Sequence, residues 1–196
     1  MPRQPALILA SASPRRRELM DQMRLRFDVK PANIDERRDR DETPRAYVER
    51  LARCKAQAGH EAGRVSIGAD TVVVVDGEIL GKPRGQTEGL EMIRRLSGRA
   101  HDVFTAVAVC DGQRCECTVV ASTVWFREVS EDEARDYCAS GEGADKAGGY
   151  GIQGIGGIFA ERIEGSFSAV MGLPVLHTEA LLQSLDVDTW SMRLDG

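Results

Sequence analysis

No apolar run in this 196-residue chain approaches the roughly 18 residues of a membrane-crossing helix. Aromatic residues are also scarce, at 5%, and nowhere alternate with lysine and arginine in a basic stripe. With a net charge of −5 and a pI near 5.3, that scarcity argues against long nucleic acid as a partner. The five cysteines (Cys54, Cys110, Cys115, Cys117 and Cys138) contain no CxxC pair, and an odd count suits a reducing compartment better than a disulfide framework. A cytoplasmic location is therefore expected. Cys115 and Cys117, two apart in a strand-like run, should share one face in a structural role. Repeats, low-complexity segments and linkers are absent as well, so residues 1–196 are expected to form a single domain with two lobes.

What is present is an ordinary globular balance, 42% hydrophobic and 29% charged, but the charge is uneven. The first 55 residues carry fourteen Lys and Arg against nine Asp and Glu, so the acidic excess lies in the remainder. A small polyphosphate, which needs only a local pocket, is best received in the basic part.

That part contains Leu9 to Leu19, LASASPRRREL. The run from Pro5 to Ala10 reads as a buried strand: Arg3 and Ala10-Ser11-Ala12 imitate a secretion signal, but the apolar stretch is too short and meets arginines at once. Ser13 can cap the next helix, and Pro14 fits its first position, where a missing N–H costs nothing. The unpaired N–H groups of such a helix start attract anions, and Arg15 and Arg16 add forked donors shaped for phosphate oxygens. The plainer alternative is a solvated basic face.

Strand and helix signals then alternate, indicating a mixed α/β fold. Thr43 and Pro44 open a helix running to Gly59, and Val65 to Asp76 is a β-branched strand closed by an Asp76-Gly77 hairpin signal. A helix from about Gln86 to Leu96 stops at Gly98, and a second hairpin turns at Asp111-Gly112. Ser130 and Glu133 form a capping box, IFAERI precedes a Gly165 turn, and a last helix follows Pro174. The charged stretch Asp35 to Glu42 is the expected mobile loop. Ten of the 20 glycines fall between Gly141 and Gly172, concentrated in DKAGGYGIQGIGG. Such a loop is either a cluster of turns or a place where backbone approaches a ligand closely.

Several polar residues stand where polarity is costly. Asp70 lies in an apolar strand, where burial unpaired is expensive and where a carboxylate suits a hard cation or an attacking water. Lys55 follows Val48 and Leu51 by seven and four residues, so it projects from the apolar side of its helix and either snorkels or meets an anion. Lys82, after the first hairpin, can reach a phosphate. His101 reads as a structural hydrogen bonder.

LASASPRRREL, GADTVVVVDGEILGKP, LSGRAHDVFTAV, DKAGGYGIQG and GSFSAVMGLP, in this order across nearly the whole chain, resemble the signature blocks of the Maf family of nucleoside triphosphate pyrophosphatases. The resemblance implies an elongated, twisted mixed sheet flanked by helices, two lobes around a cleft, a shape related to inosine triphosphate pyrophosphatases, and often a homodimer. It also implies hydrolysis of a nucleoside triphosphate to the monophosphate and pyrophosphate with a divalent metal, Mg²⁺ or Mn²⁺. Asp70 then matches the family's proton acceptor, Glu36 a glutamate serving metal or water, Lys55 and Lys82 phosphate-binding cations, and Ser11, Ser13, Arg15 and Arg16 the phosphate site. Arg15, Thr71 and Gln153 resemble the branch acting on dTTP and UTP and not the one acting on 7-methyl-GTP. A glutamine amide can bond N3–H and a carbonyl of uracil or thymine, but it can flip to suit cytosine, so Gln153 alone does not exclude CTP. Gly149 and Ala169 stand where the family often has alanine and asparagine. A nucleotide-binding regulator of cell division with incidental hydrolysis, and a nucleotidyl transferase, are the competing classes.

Overall fold

The computed structural model describes residues 6–194; Pro5, the expected start of the first strand, and Arg3 lie outside the described residues. A seven-stranded mixed sheet with the order β2-β1-β3-β5-β6-β7, and β4 paired to β3, is flanked by helices. β1 (Leu7–Leu9) lies parallel to β2 (Phe27–Val29) and to β3 (Val65–Val75), with Leu7 opposite Phe27 and Val65. β4 (Glu78–Leu80) runs antiparallel to β3 through the Asp76-Gly77 turn, both of whose residues have positive φ as that hairpin demands. β5 (Ala100–Cys110) and β6 (Cys115–Phe126) flank the second turn, and β7 (Ala160–Glu164) pairs antiparallel with β6.

The helices form where caps and periodicity place them. α1 (Pro14–Gln22) begins after Ser13, whose side chain accepts the Arg16 N–H. α2 (Pro44–Ala58) begins after Thr43, which accepts the Ala46 N–H, and ends at Gly59. It buries Val48, Leu51, Ala52, Lys55 and Ala56, one stripe at helical spacing. α3 (Gln86–Leu96) carries a similar stripe, and α4 (Glu131–Ala139) opens with the reciprocal Ser130–Glu133 capping box. Three short helices follow: α5 (Phe167–Met171), α6 (Val175–Ser184) and α7 (Thr189–Leu194). Only α6 was expected from the sequence.

The chain divides into two compact units. The first comprises Met1–Asp70, Thr105–Val119 and Gly172–Gly196, and the second Thr71–Phe104 and Val120–Met171. In the first, Leu7, Ile8, Leu9, Leu19, Leu51 and Ile67 are fully buried. In the second, Val73, Ile93, Leu96, Val124, Phe126 and Phe159 belong to one core cluster.

One expectation is corrected. Cys110 and Cys115 are disulfide-bonded across the second hairpin, with Cα atoms 4.1 Å apart, whereas the sequence reading found no disulfide. The reason is local: Asp111 donates its N–H to the Arg114 carbonyl and its side chain accepts the Gln113 and Arg114 N–H groups, closing a turn that brings the two cysteines together. Cys117 remains a thiol, pushed up to about 11 chiefly by burial. The stretch from Asp35 to Glu42 has no helix or strand; Arg50 of α2 pairs with Glu42 at 2.7 Å, and Tyr47 of α2 donates to the Glu36 carbonyl.

His101 is the structural hydrogen bonder the sequence suggested. Its Nε2 lies 2.8 Å from the Tyr150 hydroxyl, with Phe126 edge-on at 4.9 Å, and burial lowers its pKa to about 4. The depressed value means that the unfolded chain takes up the proton more readily. Stability should therefore be fully present above the unfolded pKa near 6.5 and decline as pH falls toward about 4, by roughly 3 kcal/mol in total. Thermal melts from pH 7.5 to 4.5 check this: the wild-type chain should lose more stability over that interval than His101→Gln.

Candidate active site

The end of β1 delivers the chain into the helix-opening segment. Ala10 donates to the Ile67 carbonyl at 2.8 Å, and the next residues turn into α1. Ser11 is buried, and its Oγ accepts both the Ser13 N–H and a proton from Arg16 Nη1, each at 3.2 Å. Arg16 Nε donates to the Gly172 carbonyl at 2.9 Å. The guanidinium is thus fixed at two points beside the start of a helix. Burial lowers the Arg16 pKa, Asp70 and Glu36 oppose that shift, and the charge of Arg15 adds to it. Ser13 acts as the cap of α1, and Arg15 is half-buried in its first turn.

A second group is built where β3 crosses α2. Residues two apart on a strand share a face, and here Ser66, Gly68 and Asp70 meet the helix in turn. Ser66 Oγ donates to the Ala56 carbonyl at 2.6 Å. At Gly68 a Cβ would stand 2.4 Å from both the Ala52 carbonyl oxygen and the Ala56 nitrogen, so only glycine lets strand and helix backbones come this close. Asp70 then falls within reach of α2, and its Oδ1 lies 2.6 Å from Lys55 Nζ. The same ammonium lies 2.8 Å from Glu36 Oε1. Asp70 and Lys55 are each 8% exposed, whereas the Glu36 side chain is 56% exposed. Lys55 therefore does not snorkel; it joins a buried carboxylate to an exposed one.

The sequence reading overlooked Tyr47 as a member of this group. Its hydroxyl donates to the Glu36 carbonyl at 2.8 Å, and its pKa is raised by burial and then by the charges of Asp70 and Glu36. Spacing contained the signal, because Tyr47, Leu51 and Lys55 follow one another at four-residue intervals on one helix face.

Seven of the expected residues (Ser11, Ser13, Arg15, Arg16, Glu36, Lys55 and Asp70) lie in the first unit. Thr71, Lys82 and Gln153 belong to the second. There Thr71 is half-buried next to Asp70 in the chain, Lys82 is exposed after β4, and Gln153 is exposed in the glycine-rich loop.

Among the described residues no cluster of three or more His, Cys, Asp or Glu could hold a metal. Two carboxylates approaching one nitrogen nevertheless suit Mg²⁺, which commonly takes one or two protein carboxylates and completes its shell with substrate phosphates and water. The donor set is hard oxygen only, which fits Mg²⁺ or Mn²⁺ and not a thiolate-seeking ion.

A family model described as "Maf-like protein" matches residues 6–185. A dTTP/UTP pyrophosphatase of Hahella chejuensis is 47% identical over 190 residues, covering 94% of each chain. A dTTP/UTP pyrophosphatase of Vibrio cholerae is 50% identical over 179 residues, covering 90% of this chain and 96% of that one. A third, from Pseudoalteromonas atlantica, is 46% identical over 187 residues, covering 92% of this chain and 97% of its own.

Proposed function

The chain belongs to the Maf family, and from that premise we propose that it hydrolyses dTTP and UTP to the nucleoside monophosphate and pyrophosphate. The observation that carries the reading is the buried Lys55–Asp70 pair, extended to Glu36 and electrostatically coupled to Arg16 at the opening of α1. A fixed carboxylate, a fixed guanidinium and helix N–H groups are the parts a phosphoanhydride hydrolase requires.

A triphosphate carries about four negative charges, and Arg15, Arg16 and the first turn of α1 receive them. Ser11 Oγ already accepts two hydrogen bonds, which directs its own proton toward a phosphate oxygen. Lys82, exposed after β4, would add a second ammonium for the polyphosphate. Lys55 holds one oxygen of Asp70, which orients the carboxylate so that the other can accept a proton from water attacking the α-phosphorus. The new P–O bond forms to that water, and the bond from the α-phosphorus to the bridging oxygen breaks, so pyrophosphate leaves. A divalent cation held by Asp70, Glu36 and phosphate oxygens would supply charge neutralisation and polarise the phosphoryl oxygen. Gln153 would read the uracil or thymine edge, and Thr71, next to Asp70 in the chain, would contact the substrate.

The test is turnover of dTTP, UTP, CTP, GTP, ATP and 7-methyl-GTP with Mg²⁺ or Mn²⁺, assaying pyrophosphate and orthophosphate separately. Pyrophosphate from dTTP and UTP at rates at least tenfold above the purine nucleotides is expected. Turnover of CTP close to that of UTP would mean that Gln153 is free to flip. Binding of dTTP or UTP without turnover would replace this reading with that of a nucleotide-binding regulator. Light scattering on the same preparation checks the expected homodimer.

A further inference from the structure

The glycine-rich loop of the second unit is organised around one carboxylate. Glu142, just beyond the end of α4, accepts the Ile155 N–H at 2.7 Å through one oxygen. Its other oxygen accepts the Gly156 N–H at 2.9 Å and the Tyr137 hydroxyl proton at 3.1 Å. Tyr137 itself accepts the Gly151 N–H at 3.0 Å. A phenol and a carboxylate thus tie down backbone on both sides of Ile152, Gln153 and Gly154.

Three glycines of this loop, Gly151, Gly154 and Gly156, pack against these side chains and Lys146. A Cβ at Gly154 would stand 2.2 Å from a Glu142 carboxylate oxygen, and one at Gly156 would stand 2.9 Å from the Tyr137 hydroxyl. One at Gly151 would meet Lys146 Cε at 2.9 Å and Glu142 Oε1 at 3.0 Å. Their small size serves the loop's internal frame and not the approach of a ligand to its backbone. The frame is also polarised: burial would raise the Glu142 carboxyl, but the Gly156, Ile155 and Tyr137 donors and the Lys146 charge hold it below its ordinary range. Gln153, at the centre of the framed segment, is exposed.

We infer that Glu142 is a positioning residue for base recognition, fixing through Tyr137 and the Gly151, Ile155 and Gly156 amides the segment that presents Gln153. The inference rests on the reading that Gln153 contacts the base. It explains how the backbone that carries Gln153 is held in one place: discrimination needs a fixed framework, and for this segment the framework lies beneath the loop.

Glu142→Gln keeps the shape but turns an N–H₂ group toward amide donors, so the frame loses at least one bond and gains a repulsion. The expected result is a KM for dTTP and UTP raised on the order of tenfold, exceeding the fall in kcat, with a narrower spread of kcat/KM across nucleotides. Competitive inhibition by inorganic tripolyphosphate, which has no base, should change by less than about twofold, whereas inhibition by dTMP weakens. Glu142→Asp, which keeps the charge, should recover part of the selectivity.

Equal weakening of tripolyphosphate and dTMP inhibition, or an unchanged nucleotide spread, overturns the inference. Gln153→Ala run beside it separates the two ideas. If it narrows the spread and Glu142→Gln does not, the positioning role falls and the base reader stands. If it leaves the spread intact, the base reader falls whatever Glu142→Gln does. Should Glu142→Gln not fold, Tyr137→Phe, which removes only the link to Gly151 and one donor to Glu142, decides by the same measurements.

Discussion

Asp70→Asn should lower kcat for dTTP and UTP by on the order of 10²- to 10⁴-fold while the chain remains folded. The amide keeps the size of the carboxylate, and its oxygen can still accept from Lys55, which lies 2.6 Å from Asp70 Oδ1 in the wild-type chain. What the amide cannot do is take the proton of the attacking water. On the proposed mechanism the loss should therefore appear mainly in kcat, because Arg15, Arg16 and the α1 amides would still receive the phosphates. Pyrophosphate release under saturating nucleotide, with a thermal melt of the same preparation, makes the measurement. Retention of more than a tenth of wild-type kcat would remove Asp70 from the proton-acceptor role and leave it as a structural partner of Lys55.

Lys55→Met should cost stability as well as activity. It leaves Asp70 charged, buried and without its ammonium, a situation worth about 3–5 kcal/mol. For a chain of this length that corresponds to a melting point lower by very roughly 10 °C. Glu36, more than half exposed, can exchange Lys55 for water, so Glu36→Gln should cost no more than about 1 kcal/mol. The double variant Lys55→Met/Asp70→Asn provides the decisive comparison. With the uncompensated charge gone, it should recover much of the stability lost in Lys55→Met and none of the turnover. Simple addition of the two single-variant losses would mean that Lys55 and Asp70 are not energetically coupled.

Much of this arrangement was legible in the sequence because local chemistry and hydrophobic period agree there. α2 begins and ends where Thr43, Pro44 and Gly59 indicate, and Lys55 on its apolar stripe is buried as its spacing required. The Ser13 and Ser130 caps and the Asp76-Gly77 hairpin also form as read. Elements that depend on distant partners escaped. β2 is three residues long and exists because Phe27, Asp28 and Val29 pair with β1. α5 is five residues long, and the Ser166 N–H just before it donates to Ser122 Oγ on β6 at 3.0 Å. The Cys110–Cys115 disulfide has no CxxC spacing to signal it, because the bond spans a hairpin turn.

The sequence by itself determined where α1 and α2 are capped and which helix and strand carry Lys55 and Asp70, since caps, periodicity and strand alternation act over a few residues. Only the tertiary structure decided what those residues meet. Lys55 could have snorkelled or faced an anion, and it pairs with Asp70 because Gly68 lets β3 and α2 approach to backbone contact. Tyr47 shares an α2 face with Leu51 and Lys55 and reaches Glu36 only because the charged loop folds back to α2. The glycine-rich loop read as either a cluster of turns or a place of close ligand approach, and Gly151, Gly154 and Gly156 in it pack against Lys146, Glu142 and Tyr137. In each case the partner lies far along the chain, and only the packing of sheet, helix and loop fixes the distance between them.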